Sequence, residues 1–561
     1  MSNGGLSLPI SGTGAKPPFT RPTANFHPSV WGDRFLSYVP SAESDSRIQQ
    51  AKLLKEHVRK RLVSSIDDNN FSFKLNFIDS VQRLGVSYHF EHEIDTALSQ
   101  VYDISTKDNN IIADDSHDLY HTALLFRLLR QHGYRISSSV FFKFEDQTGK
   151  FKECLADDIE GMLSLYEATQ LRCHGENVLE EAHNFSLEQL TKFITTQLSC
   201  SLVARVQHSL KQSLRRGFPR LETTYFLSFY EEYPSHDEKL ITFAKLDFNK
   251  LQELYLKELG SLTKWWYKDL DVSSNLPFTR DRIVECYFWA LGVYFEPQYS
   301  RWIIAKLATL GTIIDDIYDA YGTIEELELF TNAIDRWDIS CLVDLPKYMQ
   351  FCYKLILDVC EEIDQEMRKQ GKVYCIKYVT REIKRLVQAQ MVEARWCHSN
   401  HVPTVEEYMQ VRATSSGYPM LITSSFLGME DTTEEILLWA TNEPVIISAS
   451  IVLLRIMDDI VGDEFEQERK HVVSSIQCYM KEYKISRKCA IEELRKLVEN
   501  AWKDINNACL APIQVPMKFL MPAVNFARVV DVLYKDEDIF TNAGGIMKDH
   551  IEALLINKMS V

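Results

Sequence analysis

The sequence has no CxxC pair, no Lys/Arg block and no apolar run long enough to cross a bilayer, and each absence removes a class of protein. Its twelve Cys are scattered, as in a reducing compartment where thiols serve mostly as small core residues. The longest largely apolar stretch, Val445 to Leu454, is about half of what a spanning helix needs and stops at Arg455, so no membrane association is expected. With 62 basic against 79 acidic residues the net charge is −17, which argues against nucleic acid as a partner. An anionic substrate would therefore need local cations or metal. The first twenty residues hold four Gly and three Pro and read as a flexible segment. They lack both the apolar core of a secretory signal and the Arg/Ser richness of a transit peptide, which predicts a cytoplasmic protein.

Strand-like alternation is also scarce, whereas apolar residues recur at helical spacing through most of the 561 residues, so the chain reads as all-α. The polar stretch Tyr233-Pro234-Ser235-His236-Asp237 divides it into an N-terminal helical domain, 21–236, and a C-terminal domain, 237–561. Two acidic clusters lie in the second domain. Ile303, Leu307, Leu310, Ile314 and Ile317 form one stripe that runs into Asp315, Asp316 and Asp319, and Gly322-Thr323 with Glu326 reads as a stop followed by a capping box. Ile447, Ile451 and Leu454 form another stripe, continued by Asp458, Gly462 and Glu466 at steps of four.

Carboxylates at the end of a buried stripe are costly unless a cation meets them, and oxygen ligands in pairs suit Mg²⁺. Asp315 and Asp319 are expected one α-helical turn apart, with Asp316 beside them. Asp458 and Glu466 flank Gly462, which has no ligand side chain and, in a helix interior, suggests close approach by ligand, water or backbone. A third DDxxD, Asp114 to Asp118, precedes its helix, Leu119 to Gly133, and is assigned to N-terminal capping instead. Cys397, His398 and His401 are read as a loop before Pro403 rather than as a zinc site. Arg280, Arg282 and Arg455 stand near the acidic clusters, and guanidinium forks beside metal-binding carboxylates suit a diphosphate.

Arg280-Asp281-Arg282, Cys286 to Gly292, Glu296-Pro297-Gln298-Tyr299, the DDIYDAYGT run at 315–323 and the DDIVGDEFEQER run at 458–469 together resemble a plant class I terpene synthase. Arg21-Pro22 followed after eight residues by Trp31 resembles the cytosolic sesquiterpene synthase branch, which includes cadinene and germacrene synthases. The resemblance covers nearly the whole chain. It implies two α-helical domains, an α-barrel-like one followed by a catalytic bundle, and a monomer using three Mg²⁺ ions, with Mn²⁺ as a possible substitute. Farnesyl diphosphate is the implied substrate, cyclised after ionisation to a sesquiterpene hydrocarbon or alcohol. The alternatives are geranyl or geranylgeranyl diphosphate as substrate, or a non-catalytic paralogue. Asp315, Asp316, Asp319, Asp458, Gly462 and Glu466 fall on the metal positions, and Arg280, Arg282, Arg455 and Arg469 on diphosphate positions. Trp289 and Tyr418 fall on cavity positions suited to cation–π contact, and Asp538-Ile539-Phe540-Thr541 on a closing lid, with Phe540 where Tyr is common. Ser415-Ser416-Gly417 is a composition that breaks a helix. Prenyl-chain elongases carry two DDxxD motifs, so the run to Glu466 separates a cyclase from an elongase.

Overall fold

The computed structural model describes residues 26–38, 45–64, 71–107, 118–196, 201–233, 236–468 and 473–561. Arg21-Pro22, Asp114 to His117, Pro234-Ser235, Arg469 and the side chain of Glu466 lie outside the described residues. Within them the chain is helical throughout, with no strand and one isolated bridge between Glu145 and Phe151. No described helix is long and apolar enough to cross a membrane.

In the N-terminal half the helix Leu119–Gln131 packs on Ile159–Thr169, which packs in turn on Asn177–Thr196. Asp118 caps the first of these, its carboxylate accepting from His121 N–H at 2.8 Å, so the one described member of the third acidic motif does the work of a cap. In the C-terminal half Ile283–Val293 packs between Arg301–Asp316 and Met517–Tyr534, while Val445–Glu468 packs on Arg487–Ala508 and Met517–Tyr534. Cys375–Ser399 lies against Val405–Ser415 and Tyr418–Ser425 and closes the bundle. The same apolar core runs through both halves. Phe218 stacks on Phe288 at 4.6 Å across the junction, and Gly292 leaves room for Phe218 and Val529 where a side chain would collide. Arg216 grips Glu499 with two bonds of 2.7 Å, and Asn506 donates to the carbonyls of Gln170 and Arg172.

Sequence periodicity placed the site helices well. All five residues of the first stripe are at most 1% exposed, and the capping box of Thr323 and Glu326 is present. One detail differs. The α-helix ends at Asp316, and Ile317–Tyr321 forms a π turn closed by Gly322 N–H on Ile317 O at 2.8 Å, so Asp319 sits on a widened turn rather than one α turn beyond Asp315. Cys397 and His398 likewise belong to the last turn of Cys375–Ser399, not to a loop, because the helix continues to a left-handed cap at Asn400.

Candidate active site

Seven helices and the 538–541 segment line a cavity of about 190 Å³, more than ten times what one water needs. Its lining divides by chemistry. Asp315, Asp316 and Asp319 come from the end of the first stripe, Asp458 and Gly462 from the second, and Arg280, Arg412, Arg455 and Asp538 complete the charged set. Trp289, Tyr418, Leu421, Leu454, Tyr534 and Phe540 supply apolar and aromatic surface.

Each acidic cluster holds its own arginine. Arg280 binds Asp315 at 2.5 Å and Asp316 at 2.8 Å, and its backbone N–H donates to Asp316 at 2.7 Å. Arg455, one turn before its cluster, binds Asp458 at 2.5 Å and Asp459 at 2.6 Å. Burial works against the Arg280 charge, yet Asp316 and Asp315 outweigh it and raise its pKa. The acids respond unequally. Burial raises the Asp315 carboxyl, but Arg280 overcomes it and holds the group below its ordinary value. Burial pushes Asp316 up to about 6 against Arg280, with Asp315 adding to the rise. Burial pushes Asp458 up to about 6 as well, against Arg455 and reinforced by Asp538 and Asp459. Both carboxyls are thus under-compensated, and further positive charge would lower both.

These residues fit divalent metal. Among the described residues no three carboxylate, imidazole or thiol side chains gather around one point. Two under-compensated carboxyls facing one cavity suit Mg²⁺, which is usually held by one or two carboxylates together with waters and substrate phosphate oxygens rather than by a protein cage.

Behind the acids lies a buried network the sequence reading did not find. Gln390 donates to Asp315 at 3.2 Å and to the Ser415 carbonyl at 3.1 Å. Glu393 is bound by Arg412 and by the Ser415 hydroxyl, and Tyr408 donates to Asp459 at 2.7 Å while accepting from Arg412. The network ends at the helix break: Val405–Ser415 stops, Gly417 adopts φ +73°, and a new helix starts at Tyr418. The break expected at Ser415-Ser416-Gly417 is therefore present and tied to both acidic clusters. A signal was available. Val379, Ile383, Leu386, Gln390 and Glu393 follow the same 4-3-4-3 stripe that singled out Asp315, so two polar residues stand on a core face.

The aromatic set meets at Trp289, whose ring lies 6.0 Å from Tyr418, 6.3 Å from Tyr534 and 5.3 Å from Phe540. Tyr418 is anchored by its hydroxyl on Phe526 O at 2.9 Å. Tyr534 and Phe26 also line the cavity and were missed by the sequence reading.

Arg282 is not brought to the cavity. Only 1% exposed, it donates to the carbonyls of Phe540, Thr541, His27 and Asp281, and so ties the 538–541 segment to the N-terminal segment. Asp538 shapes the same segment by accepting from the backbone N–H of Phe540 at 3.0 Å and of Thr541 at 2.9 Å.

Residues 30–210 match the family model described as terpene synthase, N-terminal domain, and residues 268–504 match the one described as terpene synthase family, metal binding domain. The chain belongs to the terpene synthase family. This terpene synthase is 49% identical over 547 residues to a sesquiterpene synthase of Santalum spicatum, covering 97% of this chain and 96% of the relative. It is 48% identical over 550 residues to the (−)-germacrene D synthase of Vitis vinifera, covering 97% of each. Among solved structures it resembles isoprene synthase from grey poplar in complex with three Mg²⁺ ions and dimethylallyl-S-thiolodiphosphate. The TM-score there is 0.86 at 32% identity, over 92% of this chain and 98% of that one.

Proposed function

We propose that this terpene synthase is a sesquiterpene synthase that ionises farnesyl diphosphate, cyclises the carbocation and releases diphosphate with a C15 hydrocarbon or alcohol. The observation that carries the reading is the cavity itself, in which two acid–arginine clusters share one space with an aromatic and aliphatic wall. Similarity to sesquiterpene synthases over nearly the full chain supports the C15 substrate. In this reading residues 237–561 form the catalytic domain of a cytoplasmic monomer.

Asp315, Asp316 and Asp319 on one side, and Asp458, Glu466 and the space at Gly462 on the other, would hold Mg²⁺, three ions in this reading, with Mn²⁺ as substitute. The metal supplies Lewis-acid neutralisation of the leaving diphosphate. Arg280 and Arg455 exchange carboxylate partners for diphosphate oxygens, and guanidinium forks match that geometry. Arg469 is a further diphosphate contact, and Arg282 acts by holding the closing segment. Once the diphosphate leaves, Trp289 and Tyr418 present ring faces to the allylic cation, each such contact contributing about 1–2 kcal/mol when desolvated. The apolar lining and the 538–541 segment keep water from the cation.

Incubation with geranyl, farnesyl and geranylgeranyl diphosphates plus Mg²⁺, followed by gas chromatography and mass spectrometry, tests this. The expected result is C15 product with the highest kcat/KM for farnesyl diphosphate. No terpene from any of the three overturns the synthase reading, and a preference for another chain length overturns the substrate assignment.

A further inference from the structure

The helix Arg301–Asp316 is buried along almost its whole length, and only Trp302, Gly311, Thr312 and Asp315 keep partial exposure. The last three line the cavity that holds both acidic clusters, so the space they are exposed to is that cavity. With Ala308, which also lines it, they stand at i, i+3, i+4 and i+7 of one helix face, a row of short side chains that leads up to the first cluster.

Gly311 is the odd member of that row. Glycine is the poorest helix former apart from proline, so its presence inside a helix calls for a cause. Two ordinary causes fail here. Gly311 is not among the glycines with positive φ, so backbone conformation does not require it. Packing does not require it either. Beyond the helix's own backbone, a Cβ at this position would meet one atom within 4 Å, Met420 Cε at 3.7 Å, an ordinary contact with the tip of a flexible side chain. Gly292 on the neighbouring helix is the contrast, since its Cβ would lie 2.3 Å from Val529 Cγ2. What the missing side chain of Gly311 leaves is room in the cavity.

The place of that room gives it a use. Side chains on a helix lean toward its N-terminus, so the Asp315 carboxylate, one turn further on, reaches back over position 311. The opening therefore lies directly beneath the first acidic cluster, where the reacting end of an isoprenyl chain has to fold back on itself. Met420 borders it from the helix that begins at Tyr418, so the element that presents the Tyr418 ring to the cavity also limits this opening.

We propose that Gly311 is a specificity-determining residue, which leaves between Asp315 and Met420 the space in which the chain folds as the carbocation forms. A side chain there takes room that a C15 chain needs and a C10 chain does not, and it disfavours the folded conformer that ring closure requires. The proposal rests on the reading of this cavity as a farnesyl diphosphate site.

Gly311→Leu is the test, because leucine is a good helix former whose branched end has nearly the bulk of an isoprene unit. Variant and wild type are compared by melting, by kcat/KM for farnesyl and geranyl diphosphates with Mg²⁺, and by the products formed from farnesyl diphosphate. The expected result is a melting temperature no lower than wild type, a farnesyl-to-geranyl ratio of kcat/KM reduced about tenfold or more, and products shifted from cyclic to acyclic. Adding Met420→Ala should restore much of the lost ratio, since Met420 is the side chain that borders the opening, whereas a distorted helix would not respond. An unchanged ratio and product distribution in Gly311→Leu overturns the proposal. So does an equal fractional loss with both substrates, or the absence of recovery in the double variant. Should Gly311→Leu fail to fold, Gly311→Ala decides: it should melt no lower than wild type and redistribute the farnesyl products several-fold, and an unchanged distribution overturns the proposal. A wild-type preference for geranyl diphosphate is a failure of the C15 reading alone, because variant and wild type are still compared on the same ratio.

Discussion

Arg412 and Glu393 offer the sharpest energetic test of the site's architecture. Glu393 has a side chain 1% exposed, with one oxygen on the Arg412 guanidinium and the other on the Ser415 hydroxyl. Arg412→Met removes the cation and leaves a buried carboxylate with one hydroxyl, a loss of about 3–5 kcal/mol. Asp459 is not the source of that cost, because it keeps Arg455 at 2.6 Å, Tyr408 at 2.7 Å and Ser475 N–H at 3.0 Å. Glu393→Gln is milder, about 1–3 kcal/mol, since Arg412 retains Asp459 at 4.0 Å and the Tyr408 hydroxyl at 3.3 Å. In the double variant no charge is stranded at position 393, so the two losses do not add, and a coupling energy of about 2–3 kcal/mol is expected. Urea unfolding of the four proteins, followed by tryptophan fluorescence, measures it. Additivity within about 0.5 kcal/mol would refute the claim that this pair is one unit.

Three further outcomes follow from single contacts. Trp289→Leu should shift products toward early-quenched, acyclic terpenes by about 5- to 30-fold, the loss of about 1–2 kcal/mol of cation–π stabilisation; an unchanged gas-chromatographic profile would remove Trp289 from the reaction. Gly292→Ala places a Cβ 2.3 Å from Val529 Cγ2 and 2.6 Å from a Phe218 ring carbon, an overpacking of about 1–3 kcal/mol that urea unfolding should register. Although burial opposes it, Arg216 and then Arg172 hold Glu499 down to about 2 from an ordinary 4.5. The unfolded chain therefore takes up the proton first as pH falls, so this carboxylate's stabilisation is complete above pH 4.5 and disappears toward pH 2. The difference in melting temperature between wild type and Glu499→Gln should shrink through that window, and a constant difference would contradict the pairing.

What was legible in the sequence follows one rule, and so does most of what was missed. Asp315 and Asp458 stood out because an apolar stripe runs into a carboxylate, and the structure brings both to one cavity. Gln390 and Glu393 obey the same rule on Cys375–Ser399 without forming a recognisable acidic cluster. Arg282 was misplaced for a different reason. Periodicity reports which residues face inward but not what they meet, and its guanidinium meets four backbone carbonyls contributed by segments up to 259 residues away. Asp319 was misplaced in register because a π turn leaves no mark in residue spacing. The inter-half clamp of Arg216 on Glu499, 283 residues apart, carries no local signal at all.

Charge arithmetic couples the binding of metal at this site to the binding of diphosphate. The lining presents five carboxyl groups, Asp315, Asp316, Asp319, Asp458 and Asp538, against three guanidiniums, Arg280, Arg412 and Arg455. When all are ionised the cavity is negative by two before any substrate arrives, and a diphosphate brings about three further negative charges. Arg280 and Arg455 cannot reverse this balance by changing partners, since each carboxylate they release becomes uncompensated. Two divalent ions would nearly neutralise the assembly and three would leave it slightly positive, which favours departure of the diphosphate. Metal and diphosphate are therefore expected to bind with positive coupling, each raising the affinity of the other by the same factor. Lowered Mg²⁺ should raise the apparent KM for the diphosphate, and a KM independent of Mg²⁺ would show that the arginines alone carry its charge.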